Sequence, residues 1–191
     1  MEVIFMPKVF IDQGHNPVNP NAGAEGNGLR EQDITYEIGI ILARLLNNNP
    51  NFEARTSRNS PTEQVGTSNA SSLAQRVREA NEWGADIFLS LHTNAFTSPS
   101  GTGVEGFSYR VDSDGFELAE DVVSELSLIT GLRNRGVFAR PSLYVLRRTA
   151  MPAALIEMGY ITNPTDAALM SEQPDLFALG IYNGILEYFG M

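Results

Sequence analysis

The alternation of short apolar segments with longer amphipathic segments limits the folds open to this chain. Segments 8–12, 86–92 and 153–156 are rich in apolar and β-branched residues, which is typical of buried strands. Other segments repeat apolar residues every three or four positions, which predicts helices. These apolar positions are Ile34, Ile38, Ile41 and Leu45; Leu73, Val77 and Ala80; Ala119, Val122, Leu126 and Ile129; and Phe177, Ile181 and Ile185. Strands alternating with helices predict a single α/β domain with a largely parallel sheet.

Three further segments are weaker strand candidates. They are residues 52–56, 104–109 and 142–146. Residues 13–30 are rich in glycine, asparagine and proline, which predicts a long loop between the first strand and the first helix. Loops of this length in a compact domain are often functional.

Charge and composition exclude several classes of function. The 13 basic and 23 acidic residues give a net charge of −10, so nucleic acid is not an expected partner. The chain has no cysteine, which excludes a thiol nucleophile and leaves only nitrogen and oxygen ligands for a metal. No window approaches the roughly 18 apolar residues of a membrane span. The first eight residues lack the pattern of a secretion signal.

The two histidines of the chain, His15 and His92, each lie close to the end of a predicted strand. Because the carboxyl ends of parallel strands meet at one edge of a sheet, the two side chains can share a site. A two-histidine metal site without cysteine needs a carboxylate as its third ligand. The candidates are Asp12, Glu25, Glu31, Asp86, Glu105 and Glu157. From spacing alone, two unrelated histidines are an equally good interpretation.

Two of these carboxylates have particular positions. Glu31 begins the first predicted helix, where an acidic residue also simply favours the helix dipole. Glu157 follows the apolar run 153–156, and desolvation there raises a carboxyl pKa toward the range of a general base or acid. The alternative for Glu157 is an ion pair with Arg147 or Arg148.

Four segments together resemble the signature blocks of the zinc-dependent N-acetylmuramoyl-L-alanine amidases, the type-3 family of bacterial cell-wall hydrolases. They occur in the family order and lie between residues 8 and 163, so the resemblance covers most of the chain. The segments are Ile11-Asp12-Gln13-Gly14-His15, Gly28-Leu29-Arg30-Glu31, Ser90-Leu91-His92-Thr93-Asn94-Ala95 and Pro152-Ala153-Ala154-Leu155-Ile156-Glu157-Met158-Gly159-Tyr160-Ile161-Thr162-Asn163. Two departures are Asn16-Pro17 in place of glycines and Gln32 in place of a lysine.

The resemblance implies a fold and a chemistry. It implies a twisted, mostly parallel sheet of about six strands with helices on both faces, in one catalytic domain spanning residues 1–191. His15, Glu31 and His92 would bind one Zn²⁺ ion, and Glu157 would be the catalytic glutamate. The expected reaction is hydrolysis of the amide bond between N-acetylmuramic acid and L-alanine of peptidoglycan, at the bacterial cell wall, by a host amidase or a phage endolysin.

Three other functions are open at this level. The chain could be a catalytically inert peptidoglycan-binding module with the same fold, or a zinc peptidase acting on another amide. Nucleotide binding is disfavoured because no Gly-x-Gly-x-x-Gly or Gly-x4-Gly-Lys-Ser/Thr pattern is present. The charge of −10 disfavours electrostatic capture by an anionic wall, so we expect targeting to depend on a separate wall-binding domain or partner protein.

Overall fold

A computed structural model describes residues 6–191 of the chain. The prediction that the N-terminal segment is not a secretion signal therefore falls mostly outside the described residues. Within the described range, none of the helices has both the length and the hydrophobicity needed to cross a bilayer. In chain order the elements are β1 (Lys8–Gln13), β2 (Glu25–Gly26), β3 (Leu29–Arg30), α1 (Glu31–Asn48), β4 (Glu53–Thr56), α2 (Asn69–Trp83), β5 (Ile87–Asn94), β6 (Val104–Ser108), α3 (Asp114–Thr130), β7 (Asn134–Ala139), α4 (Tyr144–Arg148), β8 (Ala153–Tyr160), α5 (Pro164–Glu172) and α6 (Pro174–Tyr188).

Six of the strands form one sheet in the order β4-β1-β5-β8-β6-β7. The first four are parallel, whereas β6 runs antiparallel to β8 and carries β7 parallel to itself. The predicted α/β domain with a mostly parallel six-stranded sheet is confirmed. Because β6 is reversed, the start of β6 lies beside the end of β8, where Glu105 is paired with Glu157.

The two faces of the sheet bury different sets of side chains, because successive residues of a strand point to opposite sides. One face packs Val9, Ile11 and Leu89 against helices α1, α3 and α6. The other face packs Phe10 and Phe88 against helices α2 and α4. The predicted helices on both faces are therefore present.

On the α2 and α4 face, side chains become polar toward the carboxyl ends of the parallel strands. Phe10 is followed on this face by Asp12, and Phe88 by Ser90 and His92. On the next strand, Leu155 is followed by Glu157. The alternation thus places an imidazole and a carboxylate above the apolar core at one edge of the sheet.

Three local predictions need correction. Segment 142–146 was expected as a strand but forms the N-terminal side of helix α4, because Val145 and Leu146 pack together on the apolar core while Arg147 is exposed. Short apolar runs do not distinguish strand from helix by periodicity. Strand β7 was not predicted, since an exposed edge strand carries little apolar alternation. The predicted loop 13–30 contains the small β2–β3 hairpin.

Candidate metal and catalytic site

The two histidines reach one site from adjacent strands. His15 follows β1 with a backbone φ of 69°, and His92 lies within β5. The amide of Gly14 donates to the carbonyl of Leu91 at 3.0 Å, which ties the end of β1 to β5. The two imidazole rings consequently stand edge to face with their centroids 4.9 Å apart.

Glu31, the first residue of α1, places its carboxylate between the two imidazoles. Its Oε2 is 3.2 Å from Nε2 of His15, and its Oε1 is 3.1 Å from Nδ1 of His92. Backbone amides of Ala24 and Thr93 each donate to one of these oxygens at 2.9 Å. Burial alone would raise the pKa of Glu31, but the hydrogen bonds and charges of the two histidines outweigh it and lower that pKa well below its usual range. The carboxylate is therefore held ionised and fixed from four sides.

This arrangement fits a divalent metal ion. One nitrogen from each histidine and one oxygen of Glu31 lie within 4.8 Å of one another. Glycines leave the room for these groups: a Cβ on Gly14 would lie 2.6 Å from Cε1 of His92, and a Cβ on Gly23 would lie 2.8 Å from Oε2 of Glu31. Two imidazoles and one carboxylate are a donor set found in zinc sites that keep a fourth position for water or substrate.

Glu157 lies beside this cluster on the neighbouring strand. It is the direct partner of His92 in the parallel β5–β8 register, and its Oε2 is buried with no hydrogen-bond partner among residues 6–191. Burial, together with the charges of Glu31 and Glu105, raises the pKa of Glu157 to about 8. A carboxyl group in this condition can both accept and donate a proton near neutral pH.

The alternative ion pair for Glu157 does not form. Neither Arg147 nor Arg148 makes a salt bridge within the described part of the chain. Arg147 instead lines a cavity with Pro152, at the opposite end of β8 from Glu157. Oε2 of Glu157 is therefore left without a cationic partner among residues 6–191.

Three of the other candidate carboxylates have hydrogen-bond or ion-pair partners other than the two histidines. Asp12 is paired with Arg76 at 2.6 Å, and Asp86 accepts from the amide of Lys8 at 2.8 Å. Glu25 is exposed on the β2–β3 hairpin. Glu105 accepts hydrogen bonds from Asn94 and, at 3.3 Å, from the hydroxyl of Tyr160. Of the six candidates, Glu31 is the one that both histidines contact.

Arg76 holds the backbone beneath the site through buried hydrogen bonds, and the sequence patterns did not predict this role. It lies on the buried side of α2 and donates at 2.6 Å to Oδ1 of Asp12, to the carbonyl of Gln13 and to the carbonyl of His15. The guanidinium thus fixes the backbone that carries the first histidine. The sequence could have indicated this role, because Arg76 lies next to Val77 on the apolar stripe of α2. A charged residue on the buried side of a helix needs a partner.

Two of the three residues that depart from the family pattern, Asn16 and Gln32, hold the first loop. The side chain of Asn16 is fully buried, donates to the carbonyls of Pro20 and Val65 and accepts from the amide of Val65. Gln32 accepts from the amide of Gly23 at 3.2 Å. These contacts fold the loop back over the start of α1, which brings His15 to Glu31.

Comparison with known proteins agrees with this geometry. Residues 9–187 match the family model described as N-acetylmuramoyl-L-alanine amidase. The chain is 36% identical over 190 residues to N-acetylmuramoyl-L-alanine amidase CwlM of Bacillus licheniformis, covering 97% of this chain and 70% of that protein. It is 31% identical over 191 residues to the endolysin of Bacillus phage SPP1, covering 96% of this chain and 66% of that protein.

A solved structure shows the same fold at similar identity. The N-acetylmuramoyl-L-alanine amidase from Clostridium difficile 630 superposes with a TM-score of 0.87 at 31% identity, covering 97% of this chain and 98% of the other. Family model, relatives and fold therefore lead to one assignment. The chain belongs to the N-acetylmuramoyl-L-alanine amidase family, whose members are hydrolytic enzymes.

Proposed function

We propose that this protein is a zinc-dependent amidase that hydrolyses the bond between N-acetylmuramic acid and L-alanine of peptidoglycan. His15, Glu31 and His92 would hold one zinc ion, and residues 1–191 would form a single catalytic domain. The observation that carries the proposal is the pairing of His92 with Glu157 on adjacent strands, which sets an unpaired carboxyl group beside the three donors. Bound zinc would supply Lewis-acid activation of water and polarisation of the substrate carbonyl.

Glu157 moves the proton in this reaction. Its carboxylate accepts a proton from the attacking water as the water oxygen bonds to the amide carbonyl carbon. The carbon–nitrogen bond then breaks, and Glu157 returns the proton to the departing nitrogen of L-alanine. The products are a lactyl carboxylate on the glycan and a stem peptide with a free amino terminus. The pKa of Glu157, raised to about 8, suits both acceptance and return of the proton.

The remaining residues of the site keep this geometry fixed. Thr93 and Ala24 hold the Glu31 carboxylate through their backbone amides, and Arg76 holds the carbonyl of His15. A preorganised site avoids rearrangement during the reaction. We propose the bacterial cell wall as the place of action, with targeting assisted by a separate wall-binding domain or partner protein, because the chain carries a net charge of −10.

Mass spectrometry of the soluble fragments from digested peptidoglycan tests the proposal. We expect intact stem peptides with a new L-alanine amino terminus, loss of release after treatment with a chelator, and recovery when zinc is added back. Cleavage within the peptide would instead favour a zinc peptidase. Binding to the wall without any release would favour an inert binding module, and either result would overturn the proposal.

A further inference from the structure

A surface beside Glu157 carries exposed aromatic rings and arginines. Phe107 on β6 and Phe138 on β7 are paired in register, with ring centroids 6.4 Å apart, and Phe138 is 43% exposed. The guanidinium of Arg140 lies over both rings, 5.0 Å and 6.0 Å from their centroids. Together with Arg135, these residues form what we call the arginine edge.

The arginine edge faces the same side of the sheet as the candidate catalytic residue. Glu105 is paired with Glu157, and Phe107 is paired with Leu155, which precedes Glu157 on its face. Helix α3 covers the opposite face, where Gly106 approaches Ala119 and Val123. The rings and guanidiniums consequently extend the floor of the site across β6 and β7.

Of the two guanidiniums on this surface, that of Arg140 has no carboxylate partner among residues 6–191, and that of Arg135 has one distant partner. Arg140 makes no salt bridge with any carboxylate of residues 6–191. Nε of Arg135 is 3.7 Å from Oε2 of Glu105, with about a third of the side chain exposed, and its guanidinium lies 5.3 Å from the ring of Tyr160. Contact with an aromatic ring positions a guanidinium without neutralising it.

The segment that contains Arg135 and Arg140 is rich in positive charge. Residues 126–156 contain five of the 13 basic residues, all arginine, and none of the 23 acidic residues. In a chain of net charge −10, this excess of positive charge favours a carboxylate near the segment. A neutral glycan could accept hydrogen bonds from these arginines but would gain no pairing of opposite charges.

The distance to the scissile bond identifies the part of the substrate that reaches the arginine edge. Neighbouring strands are about 4.8 Å apart, so β7 lies roughly 10 Å from β8. Phe138 is level with Phe107 and Leu155, two residues before Glu157, which adds about 7 Å along the strands. An extended peptide spans about 3.3 to 3.6 Å per residue, so the second or third residue after the cleaved amide reaches Arg135 beside Glu105, and the third or fourth reaches Arg140 over Phe138. Building on the proposed function, we propose that Arg135 and Arg140 bind a side-chain or main-chain carboxylate of the stem peptide and make the enzyme selective for acidic stem peptides over amidated ones.

Two synthetic substrates test this selectivity. Both are N-acetylmuramoyl-L-alanyl peptides, and they differ only in whether the acidic residue after alanine carries a free carboxylate or an amide. We expect the native enzyme to prefer the acidic substrate by about tenfold, through KM, because charge-assisted hydrogen bonds are the stronger kind. Arg140→Gln should reduce this preference while leaving kcat on the amidated substrate within twofold, and Arg135→Gln should reduce the preference as well.

Matched variants separate charge recognition from structural damage. Arg135→Lys should restore most of the preference, and Arg44→Gln, an exposed arginine on α1, should leave it unchanged. An undiminished preference in both glutamine variants would overturn the inference. The inference would also fail if added sugar units in the substrate increased the activity of those variants less than that of the wild type. The glycan would then occupy the arginine edge.

Calorimetric binding of the two free peptides needs no turnover and distinguishes the two proposals. One outcome is that neither the wild type nor the variants hydrolyse either substrate, while the wild type binds the acidic peptide more tightly and the arginine variants do not. In that case the proposed function fails and the proposed peptide site stands. If hydrolysis proceeds but neither the peptides nor the substrates are distinguished, the inference fails and the proposed function stands.

Discussion

Glu157 and His92 are direct neighbours on the parallel strands β8 and β5, and both side chains point to the face that carries α2 and α4. This register, rather than any closeness in sequence, sets a carboxyl group beside the candidate metal donors. The sheet would therefore provide the proposed proton-transferring group and one candidate metal ligand from a rigid scaffold. The loop after β1 and the start of α1 carry the other two candidate ligands.

Replacing Glu157 with glutamine should strongly reduce hydrolysis without removing the metal. The variant keeps the shape of the side chain but cannot accept a proton, and general base catalysis contributes roughly 10²- to 10⁴-fold in rate. We expect a loss in kcat of about 10³-fold, measured by fragment release, with the zinc content of the wild type by elemental analysis. Glu172→Gln, on the exposed side of α5, is the matched control. Activity within tenfold of the wild type would contradict the assigned role.

Replacing His92 with alanine should remove the metal. The remaining two donors, on His15 and Glu31, are too few for a stable zinc site of this kind. We expect affinity for zinc, measured by competition with a chelator, to fall at least a hundredfold while the circular dichroism spectrum shows a folded chain. Zinc should raise the thermal midpoint of the wild type and leave that of the variant unchanged. A variant that retains stoichiometric zinc would exclude His92 as a ligand.

Gly14→Ala should disturb the site through steric overlap. A Cβ there would lie 2.5 Å from the carbonyl oxygen of Leu91 and 2.6 Å from Cε1 of His92. Strand β1 must then move from β5, or the imidazole must turn away. We expect a destabilisation of about 1 to 3 kcal/mol in urea unfolding and at least a tenfold loss in zinc affinity.

Gly159→Ala is the control for that substitution. Its Cβ would meet the flexible side chain of Met170 at 3.3 Å, on the same sheet but away from the ligands. Its zinc affinity should match the wild type. Equal losses in the two variants would show that Gly14 has no special relation to His92.

The extent to which the site can be predicted differs from residue to residue. His15, His92 and Glu157 could be assigned to one edge of the sheet from the sequence because each lies near the carboxyl end of a buried strand, although spacing alone did not show that they share a site. Glu31 could not be selected from six carboxylates on pattern alone. Its position depends on how the loop 13–30 folds, which is set by buried side-chain hydrogen bonds such as those of Asn16.

The missed elements have physical explanations too. Strand β7 lies at the edge of the sheet, where one side of the strand has no partner and exposed residues carry no alternation. Helix α4 is a short apolar segment, for which strand and helix patterns coincide. Arg76 was missed because charged residues in amphipathic helices usually face solvent.

The ion pair between Arg76 and Asp12 couples the stability of the fold to the site above it. Both side chains are almost fully buried, and Nη1 of Arg76 lies 2.6 Å from Oδ1 of Asp12. Ser90 donates to the other carboxylate oxygen at 2.7 Å. Burial by itself would raise the pKa of Asp12, but Arg76 and these hydrogen bonds outweigh it and lower that pKa below its ordinary value.

Asp12→Asn should therefore destabilise the protein and make its free energy of unfolding less dependent on pH. Removing one member of a buried pair costs about 3 to 5 kcal/mol, because the remaining charge is left uncompensated. A carboxyl group with a lowered pKa in the folded state stabilises that state fully above the unfolded pKa of about 4, and the contribution is lost as the pH falls through the folded value. Urea unfolding at pH 7 and at pH 3 measures this, and the free energy of unfolding should fall more between the two pH values in the wild type than in the variant.

Asp33→Asn, which breaks the exposed pair with Arg30, is the control and should cost less than about 1 kcal/mol. A loss from Asp12→Asn no larger than that control would show that the buried pair does not hold the strand ends beneath His15.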